Sequence, residues 1–318
     1  MAFTFHETPA ELLQQAVDEV EKHNGKIAMA GEALGMKRQT FRDRYKLACL
    51  KGYKPSIRRE EVKPAIRQKL GRSHMVIPDV QAKPGVRDDH LEWIANYALD
   101  KRPDVIIQIG DWADMPSLSS YDRGKRCYEG RRYTKDIDAA NASLMRFESV
   151  IEQFNRTHPE NPYSPDKHIT LGNHEARITR QTEIEPAMDG KLTLEDLHFA
   201  DRGWKVHDFL EVVTIDGIQY SHYFVSGAMG RPVSSAAALL RTRGGSATMG
   251  HVQRMDVAYH PQTQQIGLMC GTCYLHDEAY LGPQGNSAPR QIVMKHEIED
   301  GRYDLMAVSL NFLKKRYS

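Results

Sequence analysis

The stretch that decides the fold is Val105–Asp114, VIIQIGDWAD. Its apolar run, Val105 to Ile109, has the composition of a short buried strand, and Gly110-Asp111 ends it in a turn that carries a carboxylate. The same device recurs on either side. Upstream, Met75-Val-Ile-Pro78 is a second apolar strand that runs into Asp79-Val-Gln81, and a helix with Leu91, Ile94, Ala95 and Ala98 inward follows it. Downstream, a long amphipathic helix from about Lys135 to Asn155 leads to a third strand, His168–Leu171, which ends in Gly172-Asn173-His174-Glu175. Strand, helix, strand, helix, strand predicts a parallel sheet covered by helices.

The chain then changes habit. Val212–Ile215 and Ile218–Tyr220 flank Asp216-Gly217, and Val293 to Val308 folds around Asp300-Gly301. Both dipeptides suit two-residue hairpin turns. A strand at Ser246–Met249 runs into Gly250-His251-Val-Gln253. A domain that starts parallel and ends antiparallel predicts an α/β fold with two packed mixed sheets flanked by helices, over residues 73–318.

Residues 1–52 read differently, as a small all-α module of three short helices. Leu13, Ala16, Val17 and Val20 recur at helical spacing until Asn24-Gly25; Ile27, Ala30 and Leu34 follow before Gly35; then Phe41, Tyr45 and Ala48 share one face. Lys37, Arg38, Arg42, Arg44 and Lys46 lie largely elsewhere on the third helix, an arrangement similar to helix-turn-helix DNA-binding modules. From Lys37 to Arg72 there are thirteen Lys/Arg against Asp43, Glu60 and Glu61, a net charge of +10. Such a block matches a phosphate backbone, so these five basic residues are the candidate nucleic-acid contacts. The plainer alternative is a helical cap with a solvated basic face. Residues 53–72, with Pro55 and Pro64, form a basic linker.

Bulk properties exclude several classes. The 318 residues are 40% hydrophobic and 27% charged with a net charge of +1, which suits a soluble globular chain without overall electrostatic bias. No apolar run approaches the roughly 18 residues of a membrane span. The start lacks a secretory pattern, so a cytoplasmic setting is expected. Four cysteines make no disulfide framework. Cys270 and Cys273 form a lone CxxC, read as small residues near the end of a buried strand in preference to a metal or redox pair. Oligomeric state is not legible.

Polar residues collect where strands end: Asp79 and Gln81, Asp111 and Asp114, Asn173 and His174, His222, then His251 and Gln253. Ligands of open α/β sheets bind outside the carboxyl ends of strands, so these groups are expected to converge. Carboxylate, amide and imidazole without thiolate suit Mn²⁺, Mg²⁺, Fe or Zn²⁺ as a working ion. A carboxylate placed centrally can bridge two cations about 3.5–4 Å apart, the spacing used in displacement at phosphorus.

The set D-x-Q, GD-x-x-D, GNHE, H and GH-x-Q resembles the calcineurin-like metallophosphoesterase superfamily from about Ser73 onward. "IPDVQ", "LGNHEARI", "YSHYF" and "GHVQ" look like a bacteriophage branch with an N-terminal helical module, which would place the protein in the host cytoplasm. The resemblance implies two divalent metals, Mn²⁺ foremost. Asp111 would bridge them, Asn173, His222 and His251 would complete one site, and Asp79 would serve the other. His174 would be the acid that assists the leaving oxygen, and Asp114 would brace the loop. Hydrolysis would proceed by attack of a hydroxide held between the metals.

Two departures fall on one site. Gln81 and Gln253 stand where the family usually has histidine. A glutamine oxygen is a neutral, weaker donor, so the expected first site is retained, weakened, and tilted toward Mn²⁺ or Mg²⁺. After the GD motif, Arg123, Lys125, Arg126, Arg131 and Arg132 interleave with Tyr121, Tyr128 and Tyr133, a pattern suited to a polyanion with stacking bases. A solvated loop is the alternative. Glu175 and Arg177 are expected to form an ion pair that holds the loop. Together these features suggest a phosphodiesterase or nuclease acting on nucleic acid. The alternatives are a phosphomonoesterase or nucleotide pyrophosphatase, and a non-catalytic DNA-binding protein whose metal site has lapsed.

Overall fold

The computed structural model describes residues 8–23, 25–53, 71–278 and 282–318. Asn24 and most of the basic linker lie outside the described residues. The chain divides into two compact units, Met1–Gln68 and Lys69–Ser318.

The first unit contains α1 (Ala10–Lys22), α2 (Ile27–Ala33) and α3 (Arg38–Leu50). Leu13, Ala16, Val17 and Val20 are buried along one face of α1 and pack with Ala30, Phe41 and Ala48. A Cβ at Gly31 would lie 3.1 Å from the Phe41 Cβ, so the small residue lets Phe41 seat against α2. On α3, Arg38, Arg42 and Lys46 are exposed and four residues apart, which puts them on one stripe. Gln39 instead donates to Asp43 on the same helix at 3.0 Å.

The second unit carries thirteen strands and six α-helices among the described residues. Its first sheet contains β1 (Arg72–Ile77), β2 (Val105–Gln108), β3 (Asp166–Thr170) and β4 (Lys205–His207), all parallel. The second contains β5 (Val213–Ile215), β6 (Ile218–Tyr220), β9 (Ala247–Met249), β10 (Met255–Tyr259) and β11 (Ile266–Cys270), in the order β10-β11-β9-β6-β5. A small hairpin, β7 (Val225–Ser226) with β8 (Arg231–Pro232), stands apart from both. β12 (Gln291–Glu299) and β13 (Arg302–Ser309) extend the first sheet antiparallel, giving β13-β12-β1-β2-β3-β4. The expected architecture, two mixed sheets with flanking helices, is present. Both Asp-Gly pairs have positive φ at each residue, as the two-residue hairpin turn requires.

Period-two alternation explains how the layers pack. Val76, Ile107 and Ile109, with Val293 of the adjoining β12, face Ile218 and Leu268 of the second sheet in a core between the sheets. Met75, Ile77 and Ile106 face the other way, against Leu91 and Ile94 of α4 (His90–Lys101), Leu144 and Phe147 of α5 (Tyr133–Thr157), and the C-terminal helix. Each buried Leu, Ile or Phe contributes roughly 1.5–3 kcal/mol, so these two layers fix the strand ends in space. The remaining helices are α6 (Ala176–Ile184), α7 (Ala236–Arg243), the short α8 (Gly282–Gly285) and α9 (Leu310–Tyr317).

One polar network interrupts the inter-sheet core. Lys295 is fully buried between the Tyr220 and Tyr303 rings, and its Nζ donates to Tyr220 Oη and Thr248 Oγ1. The Tyr220 hydroxyl also meets His74 Nδ1 at 2.7 Å, and His74 Nε2 meets Asp216 Oδ2 at 2.8 Å. Cys270 ends β11, and Cys273 is buried just after it; burial pushes both thiols up, as suits inert packing residues. No described helix is long and apolar enough to cross a membrane.

Candidate metal centre

The carboxyl ends of β1, β2, β3, β6 and β9 lead the polar residues to one place. Asp111, His222 and His251 each present a ligand atom within 4.8 Å of the others, a group that could hold a metal ion. Asn173 Oδ1 sits among them and accepts from His222 Nε2 at 3.0 Å and His251 Nδ1 at 2.8 Å. Asp111 Oδ2 lies 3.4 Å from His222 Nε2. His222 Nδ1 donates to the Ile109 carbonyl at 2.9 Å, which turns Nε2 toward the cluster.

The backbone is bent at these residues themselves. Asp111 has φ 53°, His251 63°, Gln81 47° and Gln253 54°, all in the left-handed region that non-glycine residues rarely occupy. The glycines before two of the ligands serve close approach. A Cβ at Gly172 would fall 2.1 Å from Asp111 Oδ1, and one at Gly250 would fall 2.4 Å from Asp79 Oδ1.

Asp79 completes one side of the centre. It is fully buried, and its Oδ1 accepts the His251 N–H at 3.2 Å. Its Oδ2 has no hydrogen-bond partner among the described residues, and neither atom of the buried Gln81 amide has one. Three unpartnered buried atoms on residues two positions apart fit a bound ion and its water better than a closed core. Gln253 is placed otherwise: its Oε1 accepts the Tyr274 hydroxyl at 3.2 Å.

Charge is distributed to match. Burial opposes the charge of Asp111, but the His174 and His222 imidazoles hold its carboxyl well below the usual range. Burial pushes Asp79 up to about 7, with Asp111 adding and His222 opposing. Burial also works against a charged His222, yet Asp111 and Asp79 raise it to about 9. His251 is pushed down to about 4 by burial and by His222. The field of the cluster therefore favours one concentrated positive charge at the Asp111 carboxylate.

His174 stands at the edge, its Nδ1 2.9 Å from Asp114 Oδ1 and its Nε2 3.8 Å from Asp111 Oδ2. Burial opposes its protonation, but Asp111 and Asp114 win and raise it. Asp114 also meets Lys83 Nζ at 2.9 Å, and Lys83 in turn meets Glu278 Oε1 at 2.5 Å. Asp114 thus braces the loop. Lys83, Glu278 and Tyr274 escaped the reading of the sequence; only the nearness of Lys83 to Gln81 gave any hint.

Glu175 does hold the loop, but by another route than the expected pair with Arg177. Its carboxylate accepts the backbone N–H groups of Asp111, Ala113 and Gly172 at 3.0, 2.8 and 2.7 Å. Arg177 donates to the Asp114 carbonyl at 2.7 Å. The basic segment is mixed in role. Arg131 is spent internally on Asp122 and the Pro116 carbonyl, and Arg132 donates to the Arg131 carbonyl. Arg123 bonds Gln181 of α6, Lys125 pairs with Asp122, and Arg126 is exposed.

Fold and site together define an α/β sandwich with a buried oxygen-and-imidazole cluster at its strand ends. No family model matches the chain, and no curated protein is significantly similar to it. Among solved structures, similar ones include a zinc-complexed Vps29 of Entamoeba histolytica, at 11% identity and TM-score 0.35 over 75% of this chain and 99% of that one. Another is Yfce, a phosphoesterase from E. coli, at 10% identity and TM-score 0.30 over 74% of this chain and all of that one. Likeness this slight says nothing of function; the fold stands on its own strand order.

Proposed function

We propose that this chain is a metal-dependent phosphoesterase whose substrate is a phosphodiester of nucleic acid. The observation that carries the first part is the meeting of Asp111, Asn173, His222 and His251 at one point, with Asp79 Oδ2 and the Gln81 amide unpartnered beside it. That geometry agrees with the order of motifs that resembles the calcineurin-like superfamily. Bound divalent ions, Mn²⁺ foremost for so oxygen-rich a donor set, would supply Lewis-acid activation of the phosphoryl group and of water.

Asp111, Asn173, His222 and His251 would hold one ion. Asp79 and Gln81, with Asp111 shared, would hold the other. Gln253 is engaged by Tyr274, so an ion at the Asp79–Gln81 side would have fewer donors and would be the more weakly held of the two. His174, whose protonation Asp111 and Asp114 favour against burial and whose Nδ1 lies 2.9 Å from Asp114 Oδ1, would give the proton that the leaving oxygen needs.

Support for nucleic acid comes from charge. Arg38, Arg42 and Lys46 form an exposed stripe on α3, Lys37 precedes it, Arg44 lies elsewhere on the helix, and the surrounding segment carries +10. The same features, with the motif order, support the bacteriophage-type branch with a helix-turn-helix-like module. The deciding experiment assays a bis-aryl phosphodiester beside an aryl phosphomonoester in Mn²⁺ and Mg²⁺. Preferred diester hydrolysis supports the reading; preferred monoester hydrolysis points to a phosphatase, and silence with every ion to a binding protein.

A further inference from the structure

Beside the candidate metal centre is an aromatic surface that the phosphoester chemistry does not use. Tyr223 follows His222 directly, is half-buried, and its ring lies 4.7 Å from the His251 ring and 5.9 Å from that of His222. Phe209 meets it edge-on at 5.6 Å with planes at 78°, and also approaches His222 at 6.5 Å. Phe209 packs against the helix-side core and Tyr223 against the smaller cluster of Phe224, Val233 and Met249, so the fold fixes both rings beside the two histidines.

The chain around Phe209 is built at some cost. Leu210, a bulky side chain, is held at φ 69°, and the turn is closed by hydrogen bonds between Asp208 and Glu211 in both directions. Val206, Leu210 and Val212 stay exposed along the same stretch. The aromatic pair is set against His222 and His251 of the charged cluster.

We infer that Tyr223, backed by Phe209, forms a subsite for the nucleobase next to the phosphoryl group. The inference rests on the reading above only in taking the Asp111–His251 cluster as the place of the phosphoryl group. Its chemistry is general: an edge-on partner fixes the Tyr223 ring, the ring is partly exposed, and stacking on it tolerates any base. A ligand with the phosphate but no base loses that contact.

The test titrates the full chain, in Mn²⁺, with adenosine 5′-monophosphate and with ribose 5-phosphate. Wild type is expected to bind the nucleotide about tenfold tighter, Tyr223→Ala to lose that preference, and Tyr223→Phe and Tyr223→Trp to keep it. Equal affinities in wild type, binding of neither ligand, or a Tyr223→Ala variant that keeps the preference overturns the subsite. Should Tyr223→Ala fail to fold, Tyr223→Trp decides: quenching of its indole by the nucleotide and not by the sugar phosphate supports stacking, and no quenching overturns it. Hydrolysis is read separately, on thymidine 5′-(p-nitrophenyl phosphate) and ethyl p-nitrophenyl phosphate. Nucleotide preference without hydrolysis removes the phosphoesterase reading and leaves the subsite; hydrolysis without preference does the reverse.

Discussion

Glu175 holds Asp111 from behind: one oxygen of its buried carboxylate accepts the Asp111 N–H at 3.0 Å and the Gly172 N–H at 2.7 Å. Two loops that leave different strands are thereby tied at their tips. Glu175→Ala leaves three buried amides without an acceptor, at about 1–3 kcal/mol each before water relieves them. Metal affinity is expected to fall tenfold to a hundredfold, the usual effect of losing the support of a ligand. Calorimetric titration with Mn²⁺ checks it, and undiminished affinity would reduce Glu175 to a folding role.

Gly172→Ala tests the closeness of the loops. The added methyl group would stand 2.1 Å from Asp111 Oδ1, so Asp111 must move. Loss of Mn²⁺ binding with little change in far-ultraviolet circular dichroism is the expected outcome. Normal binding would show that Asp111 is not held where the ion sits.

His174→Ala separates chemistry from metal. His174 touches Asp114 and approaches Asp111 without being needed by the Asp111–His222–His251 group. Metal content is expected to stay, while kcat falls by about 10²–10⁴, the range of general acid catalysis. An unaltered rate takes His174 out of the mechanism.

Gln81→His with Gln253→His restores imidazole at both departures. The double variant is expected to bind a second ion more tightly and to move its preference toward Zn²⁺. A metal titration that still saturates at the wild-type stoichiometry would place those glutamines outside the ion site.

Much of this was legible beforehand because apolar runs and Asp-Gly turns are local signals. The three strands before Leu171 and both hairpins were readable in that way, and so were the strand ends that carry Asp111, Asn173 and His251. Other partners were hidden by distance or by type. Lys83 meets Glu278 across 195 positions, which no spacing rule reaches. Glu175 binds backbone amides, which have no letter in a sequence, so Arg177 looked like its natural mate. β10 was missed because Asp256 breaks its apolar pattern, although that carboxylate turns back to accept the Ala236 N–H of α7 at 2.9 Å. The bond of Gln253 to Tyr274 was hidden too, since only the folded chain brings the two near.

Acid sensitivity has an identifiable source in the inter-sheet core. Burial, with Lys295 and Arg72 adding and Asp216 opposing, pushes His74 down to about 4. Unfolding frees it to take up a proton below its ordinary value near 6.5, so its contribution is full above that pH and is lost as pH falls toward 4. The loss amounts to about 3 kcal/mol at most. Urea midpoints for wild type and His74→Asn are expected to differ less at pH 4.5 than at pH 7; a constant difference would exclude His74 as the source.

The claim on which the account rests is that distant strand ends grip a cation around Asp111. Anomalous scattering from crystals soaked in Mn²⁺ tests it most directly. The account predicts a peak in contact with Asp111, Asn173, His222 and His251, and a weaker second peak toward Asp79 and Gln81. No peak at Asp111 at saturating Mn²⁺, or ions bound only elsewhere, would contradict it.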